Sequence, residues 1–231
     1  MRFFSLRHPV ILLVVIALME ACFASEAWAR AGGGGGGGSG KGGVINLILY
    51  PLFIGYSLFV SYLVFKKNRE SQQALERAKV DQAWDPESIK DRIRDVFYKV
   101  QEAWMARDQR IAKKCLSPRL FDDHKRQTDE MLMNHTKNVL EDIHLNRARI
   151  VEVLDYDDNS KDQFWVHIEG SMIDYTINDK TGDVVKGNRK KAESFKELWK
   201  FVRADHGWVL DEIDSSVQLT DLLSMNSITE S

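Results

Sequence analysis

The side chains able to act as acids, bases, nucleophiles or ligands fall in short, separate groupings along this chain. His167 is the best lone candidate for a general base, and Asp174-Tyr175 the nearest approach to an acid–hydroxyl pair. General acid–base catalysis needs groups that converge on one substrate atom. Asp174 and Tyr175 are neighbours on a predicted strand, so they point to opposite faces and do not act together. His167 has the parity opposite to Phe164, Val166 and Ile168, which puts it on the outer face of the same strand. Asp155, Asp157 and Asn159 open like a calcium loop, but Ser160 replaces the required glycine and Val166 the required glutamate. Asp122-Asp123-His124 lies on a predicted helix without a second ligand at helical spacing. Gly35, Gly40 and Lys41 meet the G-x-x-x-x-G-K spacing, yet Gly42 stands where Ser or Thr should hold magnesium, and no strand precedes the loop. Cys115 has no catalytic neighbour and reads as a small apolar helix residue. The sequence thus predicts no catalytic residue, no metal and no cofactor.

The elements around these residues state an address. Arg2 and Arg7, the apolar run Val10–Met19 and Ala27-Trp28-Ala29 form the three parts of a signal peptide over residues 1–29. A glycine-rich tether comes next at 30–43. The apolar run Val44–Phe65 makes a helix of roughly 33 Å, enough to cross a hydrocarbon core of about 30 Å. Lys66, Lys67 and Arg69 close it, place the C-terminal part of the chain on the cytoplasmic side, and are candidate contacts to anionic lipid head groups. A signal that stays uncleaved leaves the large domain on the same side. Ser57 and Ser61 form a small-xxx-small pair suited to helix association. With Cys22 in the removable leader, Cys115 is the only thiol of the mature chain, which suits a reducing compartment.

Residues 66–83 read as a basic juxtamembrane helix or linker, 84–216 as one α+β domain, and 217–231 as a tail. From Asp81 onward the chain holds 23 Lys and Arg against 30 Asp and Glu. An acidic domain without a basic stripe is a poor nucleic-acid binder. Asp85 is an N-cap candidate with Pro86 at the first helical position, and Ile89, Ile93, Val96, Phe97, Val100, Ala103 and Trp104 keep to one helical face. A short helix is predicted near Asp108–Leu116. A third starts at Ser117-Pro118 and carries Leu120, Phe121, Met131, Leu132, Val139 and Leu140. Ala148–Leu154 and Gln163–Ile177 alternate as strands. In the second, Phe164, Val166 and Ile168 share one parity while Ile173, Tyr175 and Ile177 share the other, which predicts a bulge or bend at Gly170-Ser171. Asp179–Gly182 supplies a turn. Phe195–Arg203 and Trp208–Ile213 form a last hairpin with two open registers. A two-residue loop puts Trp199, Phe201 and Arg203 on one face with Trp208 and Leu210, with Arg203 over the Trp208 ring. A three-residue loop with Gly207 left-handed separates those aromatics. The first is preferred because it builds one aromatic surface.

Helices first and a curved antiparallel sheet afterwards predict helices packed on one face of a cone-like α+β fold. The string Gln101-Glu102-Ala103-Trp104, then Arg107-Asp108 and Ser117-Pro118-x-Leu120, resembles the Tim44-like domain. So do Asp174-Tyr175, Thr181-Gly182, Trp199-x-Phe201-Val202-Arg203 and Trp208-x-Leu210, and the resemblance covers roughly Trp84–Ile213. It implies the fold of the nuclear transport factor two superfamily, and a membrane-docked interaction module that is not an enzyme. It is similar to bacterial members with a signal, a glycine tract and one span, which implies a single-pass protein of the inner membrane with its domain in the cytoplasm. The expected partners are membrane lipids and an unidentified membrane or membrane-associated protein. Phe97, Trp104, Tyr175, Trp199, Phe201, Arg203 and Trp208 are the candidate partner or pocket residues. Binding of a lipid or other apolar ligand inside the cone is the alternative, and a superfamily-type isomerase or dehydratase the third reading.

Overall fold

The computed structural model describes residues 43–230, without the side chains of 43–50, 52 and 53. The expected signal peptide and all but the last residue of the tether lie outside the described residues. Two compact units divide the chain, Met1–Tyr62 and Leu63–Ser231. Helix α1 runs over Gly43–Ala78. In the first unit it exposes Ile54, Leu58, Phe59 and Tyr62, and the Ser61 hydroxyl donates to the Ser57 carbonyl of its own helix at 2.8 Å. Among the described residues no helix is long and apolar enough to cross a membrane. The span expected at Val44–Phe65 begins with side chains outside that set.

Within the second unit, α1 is part of the domain. Leu63, Val64, Lys67, Ser71, Ala74, Leu75 and Ala78 are all buried, and their spacing of three and four keeps them on one face. The sequence reads 66–83 as a basic juxtamembrane helix or linker and starts the domain at 84; the segment is helical as far as Ala78, and its buried face packs within the second unit. Charge misleads that reading: Lys66, Lys67, Arg69, Arg77 and Lys79 are conspicuous, whereas from Lys67 to Ala78 the buried face is small or polar except at Leu75. Lys67 is no lipid contact either. It is buried and donates to the Met225 carbonyl; Lys66 and Arg69 remain exposed.

Helix α2 spans Pro86–Ala106, with Asp85 accepting from the Ser88 amide at 2.8 Å and Ile89, Ile93, Val96, Phe97, Val100 and Ala103 buried as the periodicity predicts. Arg107 closes it in a left-handed conformation, φ 55°. The next predicted helix is a 3₁₀ segment, Gln109–Cys115. Helix α3, Pro118–Met133, is capped by Ser117 and stops well before Val139. Val139 and Leu140 belong to strand β1, Thr136–Asp155, because β1 pairs with β2, Gln163–Asn178, from Thr136↔Asn178 onward. A distant partner strand overrides the local apolar spacing that reads as a helix.

Strands β3, Val184–Ala204, and β4, Gly207–Asp214, complete a sheet ordered β4-β3-β2-β1-β5, with β5 at Ile228–Thr229. The bend lies opposite the predicted position. Glu169 pairs with Arg147 and Gly170 with Leu145, so the extra residue is Asn146 on β1 while β2 stays regular there. Gly170 has a separate cause: a Cβ on it would collide with the Phe195 ring. The last hairpin takes the preferred register, with Ala204 opposite Gly207 and Arg203 opposite Trp208.

Strands β4 and β5 lie at opposite edges, so the chain between them crosses the sheet. It carries helix α4, Leu219–Ser224. Leu219 and Leu222 are buried outside the main core cluster, as are Val151, His167 and Leu198 of the outer sheet face. The segment read from the sequence as a tail, 217–231, is thus a strap that ends as a fifth strand, paired parallel to Leu154-Asp155.

Candidate functional site

Four of the expected pocket residues come together. Phe97, Trp199, Phe201 and Trp208 are buried because α2 presents Phe97 to the face on which odd positions of β3 and even positions of β4 meet. Phe97 and Trp199 lie 5.6 Å apart between ring centres. Phe164 stacks on Phe201 at 4.9 Å and meets Trp208 edge-on at 4.9 Å. Trp84 closes the group at 4.5 Å from Trp208. Offset and edge-on pairs at these separations satisfy the ring quadrupoles, and the rings fill the interior with one another. The indole N–H groups have partners: Trp84 donates to Asp155 at 2.9 Å, Trp208 to the Ala83 carbonyl at 2.8 Å and Trp199 to Glu197 at 2.8 Å.

Arg203 is placed beside this interior but makes no cation–π contact with Trp208. Its guanidinium bridges Asp81 at 2.5 Å and Asp162 at 2.9 Å. Asp162 is fully buried and also accepts from the Tyr156 amide at 2.9 Å. The Arg203 hydrogen bond holds the Asp81 carboxyl below the usual carboxylate range. Nearby Asp155 is pushed up by burial and by the Asp162 charge. The arrangement ties the chain just after α1, the β1–β2 loop and the β3–β4 hairpin at one point; the guanidinium is taken up by two carboxylates and is not left free for an anionic ligand.

Tyr175 and Trp104 stand apart from the interior. Tyr175 lies on the other face of β2, donates to Glu141 at 2.8 Å and carries Arg189 over its ring at 5.3 Å. Trp104 is half-buried and meets His124 edge-on at 5.3 Å. His124 is itself buried, and burial pushes its imidazole down. A cleft of 330 Å³ opens beside it, lined by Arg107, Asp108, Gln109, Arg110, Phe121 and Lys125 among others. Its cations are already paired: Arg110 with Asp108 at 2.7 Å, Lys125 with Asp129 at 2.5 Å and Arg107 with Asp179 at 2.6 Å.

The chemical candidates remain dispersed. His167 lies on the outer face as its parity requires, yet it is 2 % exposed; Leu219 and Leu222 of the strap are buried outside the main core, as it is, which points to the strap as the cover of that face. Neither ring nitrogen has a hydrogen-bond partner, and burial pushes the imidazole down to about 4, with Glu169 at 3.8 Å acting against it. The Cys115 thiol is buried and pushed up by that burial, the state of an unreactive thiol. Among the described residues no group of His, Cys, Asp or Glu is arranged to hold a metal ion. Trp84, Phe164 and Asp162 join the site without being singled out by sequence reasoning. The Asp162 carboxylate has no signal in the sequence, while Phe164 is visible there as a core residue of its strand.

In comparison with known proteins, residues 71–215 match the family of the Tim44-like domain. Among solved structures, the intermembrane space region of chloroplast protein ARC6 is similar at a TM-score of 0.39 and 11% identity, covering 56% of this chain and 95% of that one. No curated protein matches the chain.

Proposed function

With its match over residues 71–215, the chain belongs to the Tim44-like domain family, and on that premise we propose that it is a membrane-anchored protein-interaction module that organises a complex at an inner membrane. The observation that supports this best is the filled interior. Trp84, Phe97, Phe164, Trp199 and Phe201 are each fully buried and packed on one another. Space occupied by the protein's own rings is not offered to an apolar ligand, so recognition falls to the surface. Anchoring is supported by the apolar sequence Val44–Phe65 and by the exposed Ile54, Leu58, Phe59, Tyr62 and Phe65 within it; large apolar side chains left in water at this density mark a lipid or protein contact. An enzyme is disfavoured by the dispersal of His167, Asp174 and Tyr175, which share no cleft. A cytoplasmic domain is supported by the basic cluster after the apolar run.

Cross-linking of the intact protein in its native membrane, with the products read by mass spectrometry, tests this reading. A discrete membrane or membrane-associated protein recovered in stoichiometric amount supports it. Recovery of a bound lipid or metabolite without a protein partner overturns it and moves the function into the cone. Arg203 is not the residue to vary in that experiment, since its loss breaks an internal ion pair.

A further inference from the structure

A basic excess lies on the arm formed by the ends of β2 and β3. From Lys180 to Lys196 the chain carries six Lys and Arg against Asp183 and Glu193, in a domain that is acidic elsewhere. Every residue from Val184 to Ser194 is exposed. The arm has a fixed shape. Tyr175 pairs with Gly187 and Ile173 with Ala192, so Asn188, Arg189, Lys190 and Lys191 bulge out of the sheet. Gly187 sits at φ 82°, where a Cβ would also strike the backbone at Asp174 and Tyr175, so the bulge depends on glycine there. Arg189 is held over Tyr175 and donates to the Gly182 carbonyl at 2.5 Å. Among the described residues, Lys180, Lys186, Lys190 and Lys196 make no ion pair, and Val184 and Val185 are exposed beside them at 40% and 55%.

Lysines on an exposed strand also keep sheet edges from pairing, but that role needs no clustering at one end of the domain. The position of the cluster matters. Asp81 meets Arg203 and Asp162, Ser71 meets Ser227 beside Val153, and Asn68 donates to the Ile150 carbonyl. Helix α1 therefore runs back along β1 in the direction of Thr136↔Asn178, the end at which β2 and β3 form the arm. The chain thus enters this unit, at Leu63, on the side that carries the basic cluster.

We propose that the basic arm, Lys180–Lys196, docks on anionic lipid head groups, with Lys180, Lys186 and Lys190 supplying charge and Val184-Val185 meeting the interface. This rests on the membrane-anchored reading and moves the lipid contact from the Lys66–Arg69 cluster, whose Lys67 is buried. Each lysine at an anionic surface contributes about fivefold in partitioning, so neutralising three weakens the contact about a hundredfold.

The full chain, carrying a fluorophore at Val185→Cys in a Cys22→Ser background, is mixed with vesicles of phosphatidylcholine alone or with phosphatidylglycerol. Quenching by nitroxide head groups reports the arm, and salt-resistant flotation reports the anchor. Quenching that needs phosphatidylglycerol, falls with salt and is lost in the Lys180→Gln/Lys186→Gln/Lys190→Gln chain supports the docking. An anchored chain without quenching overturns it and leaves the anchor standing. Salt-sensitive quenching of a chain that does not anchor supports the arm and removes the anchor. Quenching indifferent to lipid charge overturns the proposal, as does protection of the arm only by a protein cross-linked to it in native membranes.

Discussion

Replacing Arg203 with Met leaves Asp162, which has no exposed surface, without its charged partner, and leaves Asp81 and Asp155 repelling it. Breaking a buried pair by removing one member costs about 3–5 kcal/mol, because the remaining charge stays desolvated. Arg203 retains about a fifth of its side-chain surface in water, so the lower end, about 3 kcal/mol, is expected. Asp162→Asn alone is expected to cost about 2 kcal/mol, the worth of a charge-assisted hydrogen bond. In the Arg203→Met background the same change should cost close to nothing, giving a coupling of about 2 kcal/mol. Urea titration read by tryptophan fluorescence measures this directly, since Trp84, Trp199 and Trp208 are all buried. A loss below about 1 kcal/mol for Arg203→Met, or an additive cycle, refutes the argument that this pair is internal. The pH dependence gives a second reading. Asp81 is held below its ordinary range chiefly by the Arg203 hydrogen bond. Its contribution is present above the unfolded value of about 3.9 and is lost as pH falls through the lower folded value. In Arg203→Met that part of the acid loss should disappear.

The remaining predictions concern the parts of the fold that the sequence misplaces. Leu75→Ala should cost about 2–4 kcal/mol in the same titration, because Leu75 is fully buried; Arg77→Ala, exposed nearby on the same helix, should stay within about 0.5 kcal/mol. Gly170→Ala should destabilise by about 1–3 kcal/mol through displacement of the Phe195 ring, and Phe195→Leu should relieve part of that loss. Because the His167 value is lowered to about 4, the unfolded chain binds the extra proton between about pH 6.5 and 4, so stability should fall across that window as pH falls. Truncation after Ser216 removes the strap, and His167 should then titrate nearer 6.5 by NMR; an unchanged value refutes the covering of the outer face by α4.

Local periodicity sets what can be read from the sequence. Asp85-Pro86 and the apolar spacing of α2 specify a capped amphipathic helix whatever it packs against. The parity of Phe164, Val166 and Ile168 identifies the core face of β2, and the single aromatic surface that Trp199, Phe201 and Trp208 build is enough to favour the observed register. The order of motifs also leads to the right family. Where the reading fails, a distant partner outweighs a local pattern. Val139 and Leu140 continue the apolar spacing of α3, yet β2 pairs with them as a strand. The parity change on β2 points to a bend at Gly170, while the extra residue is on the neighbouring strand.

The sequence by itself determined which segments are helix or strand over most of the domain, and which strand face is apolar. Such properties depend on neighbours within one or two turns. Only the tertiary structure decided that the second half of α1 belongs to the domain, that Arg203 serves Asp81 and Asp162, that His167 is buried, and that the interior is filled by its own rings. Each of these depends on side chains brought together across long sequence separations, where burial creates the electrostatic and packing terms that the order of residues does not contain.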